Sequence, residues 1–370
     1  MYKKRLSLGP GCPRPLALMT LAISGMISTA HAQSSVTLYG VIDAGIGYLS
    51  NAGGKTQFSA LTGTIQNNRL GFKGIEDLGG GTSAVFVLEN GFSTQTGAAG
   101  QGGALFGRQA FVGLSDKKLG TLTAGLQYDM LGTTLSQYET STYLLGNYAD
   151  HPFGNDRANS LRVANAVKYQ SPDWNGLHFG AAYAFSNLAG NINGTGRSYS
   201  AGVNYTRGPW SVGAAYVEVA GTTLDISSLT GRPTGTVVIG GSYLRSMGVG
   251  ASYTYSRGLI YAMYTQALYA GVRGTHVENG LFRNGHLGFT YFIRPDISAG
   301  AAYALTQIGD IKLHQISTTL DYAFSKRTDV YTQYMVQHAA GNNAHANFIN
   351  LSGSSGRNQM LVDVGIRHKF

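Results

Sequence analysis

Alternation in the segment 359–370 constrains this chain more than any other feature. Met360, Val362, Val364, Ile366 and His368 share one parity, while Asp363, Gly365, Arg367 and Lys369 share the other. Successive side chains of a strand point to opposite faces, so one face suits hydrocarbon and the other suits water. A strand of that kind fits the wall of a water-filled barrel rather than a sheet laid over a solid core.

The chain opens on Lys3, Lys4 and Arg5, continues through an apolar stretch over 16–27, and reaches the small-x-small triplet Ala30-His31-Ala32. That order reads as a secretory leader over 1–32, leaving 33–370 as a single barrel domain. The apolar stretch is too short for a spanning helix, which takes about 20 residues, and no later stretch approaches that length. Without the leader's four basic residues, 23 Lys and Arg face 18 Asp and Glu. Basicity this mild and dispersed argues against nucleic acid, which calls for clustered charge. The one cysteine, Cys12, precedes the leader's apolar stretch, so no disulfide or cysteine metal site is expected in the mature chain.

Taken as strands of about ten residues with period-two patterning, the mature chain divides into sixteen segments: 35–48, 64–74, 82–92, 104–115, 119–128, 161–171, 176–187, 197–207, 210–219, 246–255, 258–269, 283–293, 296–306, 313–324, 328–337 and 358–370. Their connections alternate between tight turns, such as Glu76-Asp77-Leu78-Gly79, Gly208-Pro209 and Arg294-Pro295, and long loops over 129–160, 220–245 and 338–357. Short turns on one side and long loops on the other are the outer-membrane pattern, and an even strand count returns both ends to the periplasmic side. The expected fold is all-β: a 16-stranded antiparallel transmembrane barrel. In 176–187, Leu177, Phe179, Tyr183 and Phe185 are expected outward, against His178, Gly180, Ala182 and Ala184 inward. Tyr183, Tyr205, Tyr216, Tyr253 and Tyr303 recur near strand ends and read as an aromatic girdle.

Four pieces of sequence together resemble the trimeric general porins of Gram-negative outer membranes, over the whole mature chain. They are the run 35–45 with Leu38-Tyr39-Gly40 and Asp43, the run Asn68-Arg69-Leu70-Gly71-Phe72-Lys73-Gly74, the motif Gly107-Arg108-Gln109-Ala110-Phe111, and the terminal Arg367-His368-Lys369-Phe370. The resemblance implies passive diffusion of small hydrophilic solutes and ions across the cell outer membrane. It also implies a homotrimer packed through the early and late strands, and a third external loop, here 129–160, folded into the lumen. Partners implied are outer-membrane lipid, lipopolysaccharide and the outer-membrane assembly machinery, for which Phe370 is the signal. His151-Pro152-Phe153-Gly154-Asn155-Asp156 is similar to the family's stretch at the constriction.

Arg69 and Lys73 share parity opposite Leu70 and Phe72, and Arg162 and Lys168 share parity opposite Val163, Val167 and Tyr169, so all four are expected to face water. By the resemblance, these residues and Arg108 form a basic ladder on the wall. It is opposed by Asp129, Glu139, Asp150 and Asp156 on the inserted loop, with Glu89 contributing from the wall. Cations in a narrow throat favour anions, so weak anion selectivity is expected. Two positions depart from the family: Leu126 stands before Gln127-Tyr128 where an arginine is usual, and Val87 where a polar lumen residue is common.

Catalytic motifs are sparse. His178, His286 and His314 lie on strands without a nucleophile motif, and Asp150 and His151 are adjacent, which does not make them face each other. His338 and His345 lack the spacing of a ligand pair, and the glycine-rich 97–103 lacks the Lys-Ser/Thr of a phosphate loop. No cofactor or metal is expected. The alternatives are a substrate-selective channel of the same architecture and, less favoured, a barrel hydrolase.

Overall fold

The computed structural model describes residues 34–158, 161–272 and 278–370; the expected leader lies outside them. Among the described residues the strands are β1 (Ser35–Ala52), β2 (Lys55–Thr62), β3 (Arg69–Gly79), β4 (Thr82–Gly91), β5 (Gln109–Asp116), β6 (Gly120–Tyr128), β7 (Arg162–Gln170), β8 (Leu177–Ala184), β9 (Ser198–Arg207), β10 (Trp210–Ala220), β11 (Thr223–Asp225), β12 (Val238–Tyr255), β13 (Gly258–Gly271), β14 (Gly280–Arg294), β15 (Ile297–Ile308), β16 (Ile311–Ala323), β17 (Thr328–Ala340) and β18 (Asn358–Lys369). β2 and β3 both pair with β1 as two halves of one wall strand, and β11 is a three-residue addition to β12. The wall therefore has 16 antiparallel strands.

β1 also pairs with β18, from Val41 opposite Lys369 to Leu49 opposite Leu361. That seam closes the sheet and leaves no unpaired edge. Phe370 extends it: its carbonyl accepts from the Gly40 N–H at 3.0 Å and its own N–H donates to Gly40 at 3.1 Å. Alternation follows the sequence closely. Phe179, Tyr183, Val364 and Ile366 are exposed on the outer side, whereas Ala182, Ala184, Asp363 and Arg367 are buried inside.

Several boundaries differ from the sequence reading. The second wall strand starts at Lys55 rather than 64, because the first external connection is a two-residue turn, Gly53-Gly54, with φ of +60° and +96° that only glycine adopts without strain. The connection at 309–310 is equally short, so long loops are not uniform on the external side. β12 begins at Val238 instead of 246, and 104–108 belongs to the loop before β5. Between β2 and β3 the wall breaks at 63–68, where the Asp43 carboxylate accepts from the N–H groups of Ile65 (3.0 Å) and Gln66 (2.8 Å). The break frees a carbonyl for the third loop: the Asn147 N–H donates to Thr64 at 2.8 Å. Gly146 beside it is required, since a Cβ there would stand 2.4 Å from that same carbonyl oxygen.

Residues 129–158 form a short helix, α1 (Met130–Leu135), followed by 3-10 turns. They pack on inward faces of the wall. Leu131, Leu135 and Tyr138 meet Ala215, Val217 and Met263, while Leu145 and Tyr148 meet Tyr261, Met335 and Leu361. The Gln315 amide donates to the Tyr148 carbonyl (2.9 Å) and that of Gln333 to Leu145 (2.7 Å). Two of the buried apolar clusters are thus seams between this loop and the wall, while the largest packs Ile226, Leu229, Ala344 and Ala346 of other connections against β12 to β17.

Candidate functional site

A cavity of about 1140 Å³ lies between the loop and the wall formed by β3 to β7. On the wall side it is bordered by Arg69, Lys73, Arg108 and Lys168, and also by Arg367 and Lys369. Tyr128 organises the cluster. Its hydroxyl oxygen accepts from Nη2 of Arg108 at 2.9 Å and from Nη2 of Arg162 at 3.1 Å, and the Arg162 guanidinium sits 4.9 Å from the centre of its ring. Lys168 Nζ donates to the Tyr128 carbonyl at 3.2 Å. Glu89 joins from the wall: Arg108 Nε meets it at 2.6 Å, and the Tyr39 hydroxyl donates to its other oxygen at 2.9 Å. Lys73 Nζ lies 5.7 Å from the Tyr39 ring centre. Of the three arginines Arg108 holds the bond to Glu89, while Arg69 Nε donates to the Asn67 carbonyl at 3.2 Å.

Arg162 arrives by a route that parity did not anticipate. Val163 and Ala166, three apart, both pack with Ala184 on one face, and Asn165 between them has φ of +56°. This bulge offsets Arg162 from the alternation of Lys168, and cross-strand pairing with Tyr128 brings it to the cluster. Val87 lines the cavity as an apolar residue.

The loop's acids are not where the sequence reading set them. The loop side of the cavity is lined by Gly132, Thr133, Ser136, Ser141, Thr142, Tyr143, Leu144 and Asn147. Asp129, Glu139, Asp150 and Asp156 are at most 2% exposed and face away from it. Asp129 caps α1 by accepting from the Gly132 N–H (2.9 Å) and pairs with Arg157 Nε (3.0 Å). Asp156 accepts from Thr265 Oγ1 at 2.6 Å, and Asp150 from Thr140 Oγ1 at 3.1 Å. A short carboxylate satisfies a loop's own amides and hydroxyls well, and nothing in the sequence says which side of an irregular loop it serves. Arg367 and Lys369, on the wet face by parity, border the same cavity, opposite Asp43 and Val41 of β1. Both lie by Asp329, at 3.1 Å and 3.9 Å. Arg157 gave no signal.

Asp150 and His151 do not form a catalytic pair. The His151 ring bonds Thr306 Oγ1 at 2.8 Å and His286 Nδ1 at 3.3 Å, and burial pushes its imidazole down to about 3. His338 meets Asn358, and His345 the Ser354 carbonyl.

Glu139 and Asp150 are in contact with each other. Burial, then the Asp150 and Asp156 charges, push Glu139 well above the usual carboxylate range, and burial pushes Asp150 up to about 7. Unfolded carboxyls titrate near 4. The folded loop thus holds protons that the released loop gives up between about pH 4 and 7, so its docking is strongest below that window and weakens as pH rises through it. Amide exchange over 140–150, corrected for intrinsic rates, is expected to be slower at pH 5 than at pH 8, and Glu139→Gln is expected to shrink the difference. Equal protection at both pH values in the unmodified chain would contradict this.

Residues 17–342 match the family described as Gram-negative porin. An outer membrane porin protein of Bordetella pertussis is 30% identical over 95% of this chain and 99% of its own length. Outer membrane porin protein 32 of Delftia acidovorans is 28% identical over 96% of this chain and 99% of its own. Among solved structures, an anion-selective porin from Comamonas acidovorans superposes with a TM-score of 0.75 at 25% identity, covering 91% of this chain and all of that one.

Proposed function

Because the chain belongs to the Gram-negative porin family, and is an outer-membrane channel accordingly, we infer that its throat prefers anions and that Arg69, Arg108 and Arg162, with Lys73 and Lys168, set the preference. The observation that carries this reading is one of imbalance. Three arginines and two lysines crowd one wall, Glu89 is the acid that joins them, and the facing loop presents hydroxyls and apolar groups. Fixed cations in a confined, poorly screened passage lower the energy of anions and raise that of cations. The similar Comamonas protein, named anion-selective, supports the same sign.

The remaining partners follow the same premise. A homotrimer is supported by the apolar outer strip near the seam, with Val36 66% and Ile46 70% exposed. The leader over 1–32, removal of which frees the mature chain, recognition of Phe370 by the assembly machinery, and contact with outer-membrane lipid and lipopolysaccharide belong to this reading. Solutes cross by diffusion, and no residue acts as a catalyst. Purified protein in a planar bilayer under a salt gradient tests the sign: an anion-preferring reversal potential is expected, and a cation-preferring one would overturn it. Flux limited by solute size alone is expected, whereas saturable, competitor-blocked uptake would favour a substrate-selective channel.

A further inference from the structure

Conduction does not account for the outer side of β9, β10, β12 and β13. Near the external ends of these strands Glu218 lies opposite Arg245, and it accepts from Arg245 Nε and from Arg197 Nη2, both at 2.9 Å. Parity puts the trio outside. Glu218 shares the parity of the exposed Trp210 and Val212, Arg245 that of the exposed Met247 and Val249, and Arg197 that of the exposed Tyr199. Each guanidinium also lies over a ring, Arg245 4.5 Å from the centre of Tyr243 and Arg197 5.2 Å from that of Tyr199. Two arginines share one carboxylate, which leaves a net positive charge on a lipid-facing surface, where unpaired charge is costly. An anion completes the set, and phosphate matches the planar fork of arginine.

The same four strands carry an apolar groove of about 610 Å³ nearer the membrane centre. Ala214, Ala251 and Ala262 form its floor, and Val203, Val249 and Tyr264 stand around it. Register makes the two features continuous: Arg245 leads along β12 to Val249, and Glu218 along β10 to Ala214, each four residues on. That is about 13 Å along a strand, or about 10 Å of depth at barrel tilt, within one leaflet of about 15 Å.

We propose that this face binds one phosphorylated, acylated glycolipid of the outer leaflet, the lipid A part of lipopolysaccharide. A phosphate sits on Arg197 and Arg245, and an acyl chain fills the groove over Ala214, Ala251 and Ala262. The proposal names the site for one partner of the reading above and rests on its outer-membrane placement. The cationic cluster at the external rim selects the outer leaflet over phospholipid of the inner one. These are the eighth to eleventh wall strands counted from β1, across the barrel from the β1–β18 seam, which leaves the face free of the trimer contact proposed near that seam.

The test is lipid binding by the purified protein in detergent, read by native mass spectrometry during titration with lipid A, with dephosphorylated lipid A and with phosphatidylglycerol. Arg197→Gln/Arg245→Gln and the groove-filling Ala251→Phe are each expected to weaken lipid A binding at least tenfold, and the unmodified protein to prefer lipid A over both other lipids by a similar factor. Wild-type conductance certifies each variant's barrel, and Arg245→Gln alone replaces the double variant if that control fails. Undiminished binding by the variants, or equal binding of the dephosphorylated lipid or of phosphatidylglycerol, overturns the proposal. So does dissociation of trimers in either variant, which would make the face a protomer contact. Loss of lipid binding with conductance intact concerns this site only, whereas absence of conductance in the unmodified protein strikes the channel reading instead.

Discussion

Replacing Arg69 and Arg162 together by glutamine is expected to lower the anion-to-cation permeability ratio at least about tenfold in dilute salt. Arg108 would then be the one arginine of the three left, balanced by Glu89, its partner at 2.6 Å, with Lys73 and Lys168 as the remaining cations of that wall. At an effective dielectric of about 20 and a distance of about 8 Å, a unit charge shifts a passing ion by about 2 kcal/mol. Screening over a Debye length of about 8 Å leaves somewhat under 1 kcal/mol, about threefold for each ion and, since the two signs shift oppositely, about tenfold in their ratio per charge. The readout is the reversal potential in a salt gradient, and the change is expected to shrink in concentrated salt. A ratio unmoved by the double substitution would show that selectivity is set elsewhere, for example by Arg367 and Lys369, which border the same cavity.

The second large effect concerns loop anchoring. Asp129→Ala is expected to destabilise the docked loop by about 3–5 kcal/mol, because it leaves the buried Arg157 guanidinium without its carboxylate; loss of the α1 cap adds about 1 kcal/mol. With its first turn released, the loop narrows the lumen less steadily. Single-channel records should show larger and noisier conductance and a lower melting temperature. Asp129→Asn keeps an acceptor for the Gly132 N–H while losing the charge, so its effect should be intermediate. These outcomes separate two roles for the residue. A carboxylate facing the throat would, on removal, raise anion preference with steady current, whereas a buried anchor changes noise and stability.

Arg69 and Lys73 were legible because β3 keeps strict alternation, and the water-facing parity of Arg367 and Lys369 was equally plain in β18. Arg162 was not legible by the same rule. The bulge at Asn165 shifts the face by one residue, and a bulge leaves no period to read. The loop acids failed for a related reason: without a period, the side of the loop that each carboxylate serves depends on which amides and hydroxyls packing brings near.

What the sequence alone determined is the wall. A period of two over some ten residues, repeated with turns between, fixes which face meets lipid and which meets water, and a strand so patterned cannot bury both faces. Tertiary structure decided the throat. Tyr128 gathers Arg108 from just before β5 and Arg162 from the start of β7, and the loop's carboxylates turn to buried donors, Asp156 to Thr265 on the wall, Asp129 and Asp150 to the loop itself, because buried polar groups must find partners. Those choices are made by neighbours that only the closed barrel brings together.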